Sequence, residues 1–173
     1  MRCYLIRHPR PEVGQAICYG STDLCVANDE VLRVMNSLLP RLPRAVPVYS
    51  SPLQRCTALA RPLAEALAAA PPIEDARLVE LNFGTWENRA WDVIARGEIE
   101  AWAADPMHYR PGGGESVFDA AVRVQSFLAD LAGQEGSAIV VCHAGPIRLA
   151  HASRDGASAA QAARRAADRR QPR

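Results

Sequence analysis

The run Ala138-Ile139-Val140-Val141-Cys142 constrains the fold more than any other stretch of the chain. It holds five apolar residues in succession, three of them β-branched. Such a run is typical of a strand in a parallel sheet, where helices bury both faces. The run ends at His143, and Pro146 can open a following helix. The sequence therefore predicts a parallel sheet with a histidine at the carboxyl end of one strand.

A second junction of this kind lies at the start of the chain. The apolar run Cys3–Ile6 predicts a strand, and Arg7, His8 and Pro9 follow it directly. In open α/β sheets, ligands bind just beyond the carboxyl ends of the strands. Taken alone, this junction is equally compatible with a solvated loop.

A third junction follows the short run Ala45–Tyr49, which predicts another buried strand. Ser51 as N-cap, Pro52 in the first turn and Gln54 as the capping-box partner predict a helix after it. Arg55 then lies in the first turn, where the helix dipole is already positive. Either a bound anion or a surface salt bridge would compensate this placement.

The segment Arg77–Glu87 is predicted to be a strand that runs into a turn. Within it, Glu80 stands between apolar neighbours. Glu80 is either an exposed residue on a strand face or a partly desolvated carboxyl group, whose raised pKa would suit acid catalysis. Residues 84–112 are predicted to form an inserted helical cap. A capping box of Ser116 and Asp119 predicts the start of the next helix.

Composition bounds the class of protein. The chain has 173 residues, enough for one domain, and its net charge of +1 does not favour a nucleic-acid partner. All 20 basic residues are arginine, which excludes Schiff-base lysine chemistry and a P-loop lysine. Neither a signal peptide nor an apolar run of membrane-spanning length is visible. The five cysteines are scattered without metal-ligand spacing, so we expect reduced thiols in a cytoplasmic protein without a metal or other cofactor.

Residues 151–173 differ from the rest of the chain. They hold six arginines against two acids and almost no large apolar residue. We expect a loose helix or disorder here, since such a helix has little to bury. A basic binding tail is the alternative. The domain prediction is accordingly a catalytic domain over residues 1–150, with its cap at about 84–112, followed by an Ala/Arg-rich tail.

The three junctions occupy equivalent places in an alternating β/α pattern, so their polar residues should meet at one sheet edge. That edge would present Arg7, His8, Arg55 and His143 together. Guanidinium groups match phosphate oxygens, and an imidazole is a competent nucleophile toward phosphorus. Arginines can neutralise the developing charge without a metal. The pattern thus favours phosphoryl transfer through a phosphohistidine, with Glu80 as the proton donor.

With these residues in hand, the sequence resembles the histidine phosphatase superfamily, in the branch that includes phosphoglycerate mutases. The family's motifs occur in family order over residues 1–150, and together they are highly specific. They are matched by Arg7-His8-Pro9, Ser51-Pro52-Leu53-Gln54-Arg55, Glu80 to Glu87, Gly113 to Ser116 and His143 to Arg148. The resemblance implies a three-layer α/β/α fold with a mostly parallel sheet.

The resemblance also implies residue roles. His8 would be the nucleophile, while Arg7, Arg55 and His143 would bind the phosphoryl group. Glu80 would protonate the leaving group and then activate water. The stretch Cys18–Leu24 is most similar to α-ribazole phosphatases of cobalamin synthesis, in which case Ser21 or Thr22 either touches the phosphate or only shapes the loop. The implied ligand is a small phosphorylated metabolite, with no nucleic acid or membrane partner, and the oligomeric state is open.

Two departures from the family pattern matter. Pro9 replaces the usual glycine, which removes a backbone donor at the rim of the pocket. After the His143 helix, similar proteins continue into another strand near the sheet edge, whereas this chain enters the Ala/Arg-rich tail, as a truncation or frameshift would produce. Three hypotheses follow: a metal-independent phosphomonoesterase, a mutase on the same fold, or a catalytically silent phosphate-binding remnant.

Overall fold

A four-stranded parallel sheet forms the centre of the molecule, which confirms the predicted α/β fold. The structure, a computed structural model, describes residues 1–14, 16–153 and 158–168. Its strands lie in the order β1-β4-β2-β3. They are β1 (Arg2–Arg7), β2 (Val48–Ser50), β3 (Ile73–Glu74) and β4 (Ser137–Cys142).

Six α-helices and five short 3-10 helices occur in the described residues. The α-helices are α1 (Asn28–Leu38), α2 (Gln54–Ala66), α3 (Arg96–Ala104), α4 (Val117–Ala132), α5 (Ala144–Ala152) and α6 (Ala159–Asp168). The 3-10 helices span Leu39–Arg41, Ala76–Leu78, Gly84–Trp86, Trp91–Val93 and Pro111–Gly113. No helix of the described residues is long and apolar enough to cross a membrane.

The central strand β4 explains the three layers. Its residues from Ala138 to Cys142 are all buried. Ile139 and Val141 pack with α1 and α2 on one face, while Val140 and Cys142 pack with Leu131 of α4 on the other. Side chains alternate between the faces of a strand, so a continuously apolar β4 requires helices on both sides.

Strand register brings the junctions to one edge. Arg7 pairs with Cys142, and Ser50 pairs with Val141, so β1, β2 and β4 end level with one another. The backbone N–H of His8 continues the pairing by donating to the carbonyl oxygen of Cys142. The predicted gathering of strand ends at one sheet edge is therefore present in the fold.

The predicted strand Ala45–Tyr49 is mostly wrong, because only Val48–Ser50 forms a strand. Ala45 has a φ of 54°, in the left-handed region, and its N–H bonds to the carbonyl of Leu67 at the end of α2. Pro47 has no N–H for the ladder. The chain is thus still turning where the apolar pattern indicated a strand.

The predicted strand over Arg77–Glu87 is also wrong. Residues of two 3-10 helices, Ala76–Leu78 and Gly84–Trp86, lie in this region without any strand, and the neighbouring strand is only Ile73–Glu74. Asp75 accepts a hydrogen bond from the N–H of Arg77, which turns the chain. Gly84, with a φ of 54°, lies so close to Gly112 that a Cβ would collide with its carbonyl oxygen. Glu80 accordingly lies in a loop.

Residues 84–112 include α3, two of the 3-10 helices and the start of a third, in line with the helical content predicted for a cap. Their aromatic residues pack on one another rather than around an empty pocket. Trp86 is fully buried, and Trp102 lies edge-on to it with the ring centroids 5.8 Å apart. The cap boundary itself stays a prediction.

The C-terminal helix α6 was expected to have little to bury, and this expectation is wrong. Its small Ala162 and Ala163 are fully buried against the α4–α5 side of the molecule. Alanine allows close approach of helices, so the helix packs without large side chains. Residues 154–157 and 169–173, on which the prediction of disorder also fell, lie outside the described residues.

Candidate active site

Two histidines from neighbouring strand ends lie together at the sheet edge. His8 follows β1 and is 7% exposed, and His143 follows β4 and is 0% exposed. Their ring centroids are 5.0 Å apart. The parallel register of β1 and β4 makes this pairing, because both strands end at the same level.

The hydrogen bonding of His8 selects its tautomer. Its Nδ1 lies 2.6 Å from the carbonyl oxygen of Pro9. A carbonyl oxygen only accepts, so Nδ1 carries the proton and Nε2 keeps a lone pair. Burial lowers the pKa of His8 to about 4, and the charges of Arg55 and Arg7 also lower it. At neutral pH the residue is therefore an uncharged imidazole with a nucleophilic Nε2.

His143 has protein partners at both ring nitrogens. Arg55 Nε donates to its Nδ1 at 3.3 Å, and its Nε2 lies 2.8 Å from Ser51 Oγ. Because Nδ1 accepts, Nε2 carries the proton and donates to the serine. Burial, followed by the charge of Arg55, holds the pKa of His143 well below its usual range. His143 is thus a neutral residue that fixes Arg55 beside His8, and its direct contact with phosphate stays a prediction.

Arg55 lies in the first turn of α2, as predicted, and is fully buried. The surface salt bridge considered for it is absent among the described residues. Its Nη1 donates to the carbonyl of Thr22 at 2.7 Å, and its Nη2 donates to the carbonyl of Gly20. With the bond to His143, three of its five N–H groups are engaged, which leaves two for an anion.

The predicted capping box of Ser51 and Gln54 is wrong. Helix α2 begins at Gln54, its N-cap is Leu53, and that residue makes no side-chain cap. Ser51 Oγ instead accepts a hydrogen bond from His143 Nε2. The cap comes from a distant residue, since Asp23 Oδ1 accepts from the N–H of Gln54 at 2.7 Å and Oδ2 accepts from its side chain at 3.0 Å.

Arg7 lies at the exposed side of His8. Both residues line a cleft of about 400 Å³, together with Arg10 and the ring of Tyr19. Within the residues described, neither Arg7 nor Arg10 forms a salt bridge with its guanidinium. The cleft beside His8 is therefore positively charged, as a phosphoryl-binding pocket requires.

Glu80 approaches the same site from the loop after the Ala76–Leu78 helix. Both of its carboxylate oxygens lie 3.1 Å from the backbone N–H of Gly145, in the first turn of α5. Its Oε1 also accepts from the N–H of Leu81 at 3.0 Å. A Cβ at Gly145 would collide with Oε1, so this glycine makes room for the carboxylate two residues after His143.

Ser21 and Thr22 bind a residue that the sequence analysis did not single out. Ser21 donates from both N–H and hydroxyl to Glu87 Oε1, each at 2.9 Å. Thr22 donates to Oε2 from its N–H at 2.6 Å and from its hydroxyl. The N–H of Phe83 is a fifth donor, at 2.9 Å. The hydroxyls thus shape the loop here, and a role in binding phosphate stays a prediction.

Glu87 and Asp23 are the positioning residues that sequence reasoning missed. Glu87 holds the segment Gly20–Asp23, whose carbonyls in turn hold Arg55. Burial works to raise the pKa of Glu87, but the hydrogen bonds from Thr22, Phe83 and Ser21 lower it below its usual value. Only the presence of Glu87 in a family motif could have pointed to it.

Groups for nucleophilic attack and charge stabilisation are supplied by His8 and Arg7, which line the charged cleft. Arg55 lies close enough to His8 and to Glu80 to interact electrostatically with both, so a carboxyl group for proton transfer is also nearby. Within the described part of the chain, no group of three or more histidine, cysteine, aspartate or glutamate residues is arranged to hold a metal ion. A buried arginine, an exposed arginine and a neutral imidazole suit an oxyanion of phosphorus.

Comparison with known proteins defines the class. The model of the histidine phosphatase superfamily (branch 1) matches residues 3–169. The chain therefore belongs to this superfamily, whose members are phosphatases and mutases. No curated protein matches the chain significantly.

Solved structures support the same fold. The mycobacterial glucosyl-3-phosphoglycerate phosphatase has a TM-score of 0.76 at 24% identity, over 92% of this chain and 82% of that one. A structure described as mycobacterial hydrolase 2 has a TM-score of 0.76 at 25% identity, over 92% and 74%. The phosphoglycerate mutase of Thermus thermophilus has a TM-score of 0.67 at 28% identity, over 86% and 81%. Phosphatase or mutase activity fits this set of relatives.

Proposed function

We propose that the protein is a metal-independent phosphomonoesterase that hydrolyses a small phosphorylated metabolite through a phosphohistidine. The observation that carries the proposal is the state of His8. Its Nδ1 proton is bound by the carbonyl of Pro9, its pKa is lowered to about 4, and its Nε2 is left with a lone pair beside Arg55 and Arg7. That is the state a nitrogen nucleophile needs at neutral pH.

The reaction has two balanced steps. His8 Nε2 forms a bond to phosphorus while the bond from phosphorus to the leaving oxygen breaks, and Glu80 gives its proton to that oxygen. Water then attacks the phosphohistidine, the N–P bond breaks, and Glu80 takes back a proton from the water. Arg7 and the two unengaged N–H groups of Arg55 stabilise the phosphoryl oxygens in both steps.

The α-ribazole 5'-phosphate of cobalamin biosynthesis is the particular substrate that the Cys18–Leu24 stretch suggested, and we keep it as a candidate. A phosphoglycerate mutase-like phosphotransferase is the second candidate, supported by the structural likeness to a phosphoglycerate mutase. In a mutase, the phosphohistidine returns its phosphoryl group to a substrate hydroxyl instead of to water. A catalytically silent phosphate-binding remnant is the third.

Phosphate release from p-nitrophenyl phosphate in the presence of EDTA tests the proposal. We expect turnover by the wild type and a loss of at least ~10⁴-fold in His8→Ala, since the nucleophile is removed. Acid-labile, alkali-stable phosphate on the denatured protein should accompany turnover and be absent from the variant. A folded wild type that neither turns over nor traps phosphate supports the silent remnant. Trapping with transfer to an added alcohol instead of water supports the mutase.

A further inference from the structure

A second cleft adjoins Glu80 and shares no lining residue with the positively charged cleft beside His8. It has a volume of about 460 Å³ and is lined by Ser21, Asn82, Arg110, Glu115, Asp119 and Arg123, among others. Glu80 itself lies in its wall. In a displacement at phosphorus, the leaving oxygen departs opposite the nucleophile and receives its proton from the acid. The leaving group must therefore lie on the side of Glu80, where this cleft is.

The charges of this cleft are internally paired. Arg110 Nη2 lies 2.7 Å from Asp119 Oδ2. Arg123 binds both carboxylate oxygens of Glu115, at 2.6 and 2.8 Å, and these two side chains are each 19% exposed. Each guanidinium thus already has a carboxylate, and Glu80, the proposed proton donor, is the remaining ionisable side chain of the lining. A leaving group that carried a carboxylate or a second phosphate would find no unpaired cation among the described residues of this cleft.

The polar groups of the cleft suit hydroxyls instead. Asn82 Oδ1 accepts from the N–H of Gly84 at 2.7 Å, and its Nδ2 makes no hydrogen bond within the described residues. The carboxylates of Glu115 and Asp119 retain lone pairs that accept from O–H groups. No aromatic ring of the described chain lines the cleft.

We propose that this cleft binds the leaving group and selects an uncharged, hydroxyl-bearing alcohol, such as a polyol or the sugar of a sugar phosphate. The inference rests on the proposed phosphomonoesterase function and adds to it the class of substrate. Specificity is set by Asn82 together with the two ion pairs, which deny an anionic leaving group a partner. The cations of the His8 cleft serve the phosphoryl group.

A matched substrate pair tests this selection. Glycerol 3-phosphate and 3-phosphoglycerate have the same number of carbons, but one bears a terminal hydroxymethyl group and the other a carboxylate. We expect kcat/KM for glycerol 3-phosphate to exceed that for 3-phosphoglycerate by about fivefold or more, the factor for one unpaired charge contact near water. Ribose 5-phosphate should be hydrolysed at least as well as glycerol 3-phosphate. Equal or better hydrolysis of 3-phosphoglycerate overturns the inference.

Variants of the two ion pairs show whether charge pairing causes the preference for glycerol 3-phosphate over 3-phosphoglycerate. Asp119→Asn frees Arg110 while it keeps an acceptor oxygen for Ser116, and Glu115→Gln frees Arg123 independently. Each should lower the selectivity ratio by about fivefold, because a cation becomes available to the carboxylate. Asn82→Leu should reduce kcat/KM for ribose 5-phosphate. Asp92→Asn, on an exposed residue outside the cleft, should leave the ratio unchanged.

The experiments distinguish a failure of the proposed leaving-group selection from a failure of the proposed phosphomonoesterase function. p-Nitrophenyl phosphate, whose leaving group bears neither a carboxylate nor an aliphatic hydroxyl, is measured with every variant as the reference for the His8 chemistry. Hydrolysis of that ester with a reversed selectivity ratio in the wild type, or with an unchanged ratio in both ion-pair variants, overturns only the inference. Absence of all turnover in a folded protein overturns the proposed function, and the inference with it.

Discussion

The sheet edge and the loop segment Gly20–Asp23 both hold parts of the site, but by different means. At the sheet edge, strand register places the two histidines, and backbone hydrogen bonds maintain the register. In the loop, side chains hold the chain in place, since Glu87 binds Ser21 and Thr22 and Asp23 caps α2. The first region is anchored through the core, whereas the second depends on a few polar contacts. Changes in the loop should therefore alter the site without unfolding the protein.

The largest effect, apart from removal of the nucleophile itself, tests the sheet-edge side. Gly145→Ala places a Cβ where Glu80 Oε1 now lies, so the carboxylate must move. We expect activity toward glycerol 3-phosphate to fall by about 10²–10⁴-fold, the range for a lost general acid. The free energy of unfolding should change little, because the atom displaced is the end of a flexible side chain.

Gly97→Ala is the matched control, because nothing lies within 4 Å of its added Cβ and the residue is inside α3. It should stabilise the protein by up to ~1 kcal/mol and leave activity intact. Full activity in Gly145→Ala would show that Glu80 is not the proton donor.

The next effect tests the loop side. Glu87→Gln replaces one acceptor oxygen with an amide donor facing N–H and O–H donors, so the segment that holds Arg55 should shift. We expect kcat/KM to fall by up to ~10²-fold, as for misplacements of about 1 Å. The inhibition constant of inorganic phosphate should rise in parallel, which a loss of stability alone would not cause. Glu100→Gln, on the exposed face of α3, is the control.

Glu87 should also make the free energy of unfolding depend on pH. The pKa of Glu87 is lowered in the folded protein from an ordinary 4.5, so its contribution is fully present above that pH. It is lost as the pH falls through the lowered pKa. The difference in unfolding free energy between wild type and Glu87→Gln should therefore shrink below about pH 4.5. A constant difference down to about pH 3 would contradict this assignment.

The pH profile of activity probes the buried imidazole at the sheet edge. With its pKa lowered to about 4, His8 should remain mostly neutral at about pH 5. A histidine with an ordinary pKa of about 6.5 would be only ~3% neutral there, a difference of about 30-fold. We expect single-turnover phosphorylation of His8 to persist at about pH 5 and to decline near pH 4. A decline centred on about pH 6.5 would indicate that the ring is solvated.

The smallest effect concerns the cap that reaches α2 from the loop. Asp23→Ala leaves the N–H of Gln54 without its acceptor, which should cost about 1 kcal/mol of unfolding free energy. Asp23→Asn retains an acceptor oxygen and should recover most of that loss. Chemical denaturation of both variants measures the difference, and equal stability of the alanine variant and the wild type would rule out the cap.

The sequence predicted the sheet edge better than it predicted the loops. The parallel sheet, the level strand ends and the places of His8, Arg55 and His143 were predictable, because continuous apolar runs and the residues after them are local features. Glu80 was assigned to a strand that does not form. Its actual position depends on Asp75 and on the contact between Gly84 and Gly112, which are far apart in the chain. No local pattern reports such a contact.

The sequence by itself determined which chemical groups the protein carries and which strands deliver them, since buried strands need apolar runs and register then aligns their ends. Only the tertiary structure decided how those groups are used. It assigned Ser51 to His143 instead of to a helix cap, gave that cap to Asp23, and joined Ser21 and Thr22 to Glu87. These assignments are hydrogen bonds between residues that are far apart in the chain. Only folding brings each donor close to its acceptor.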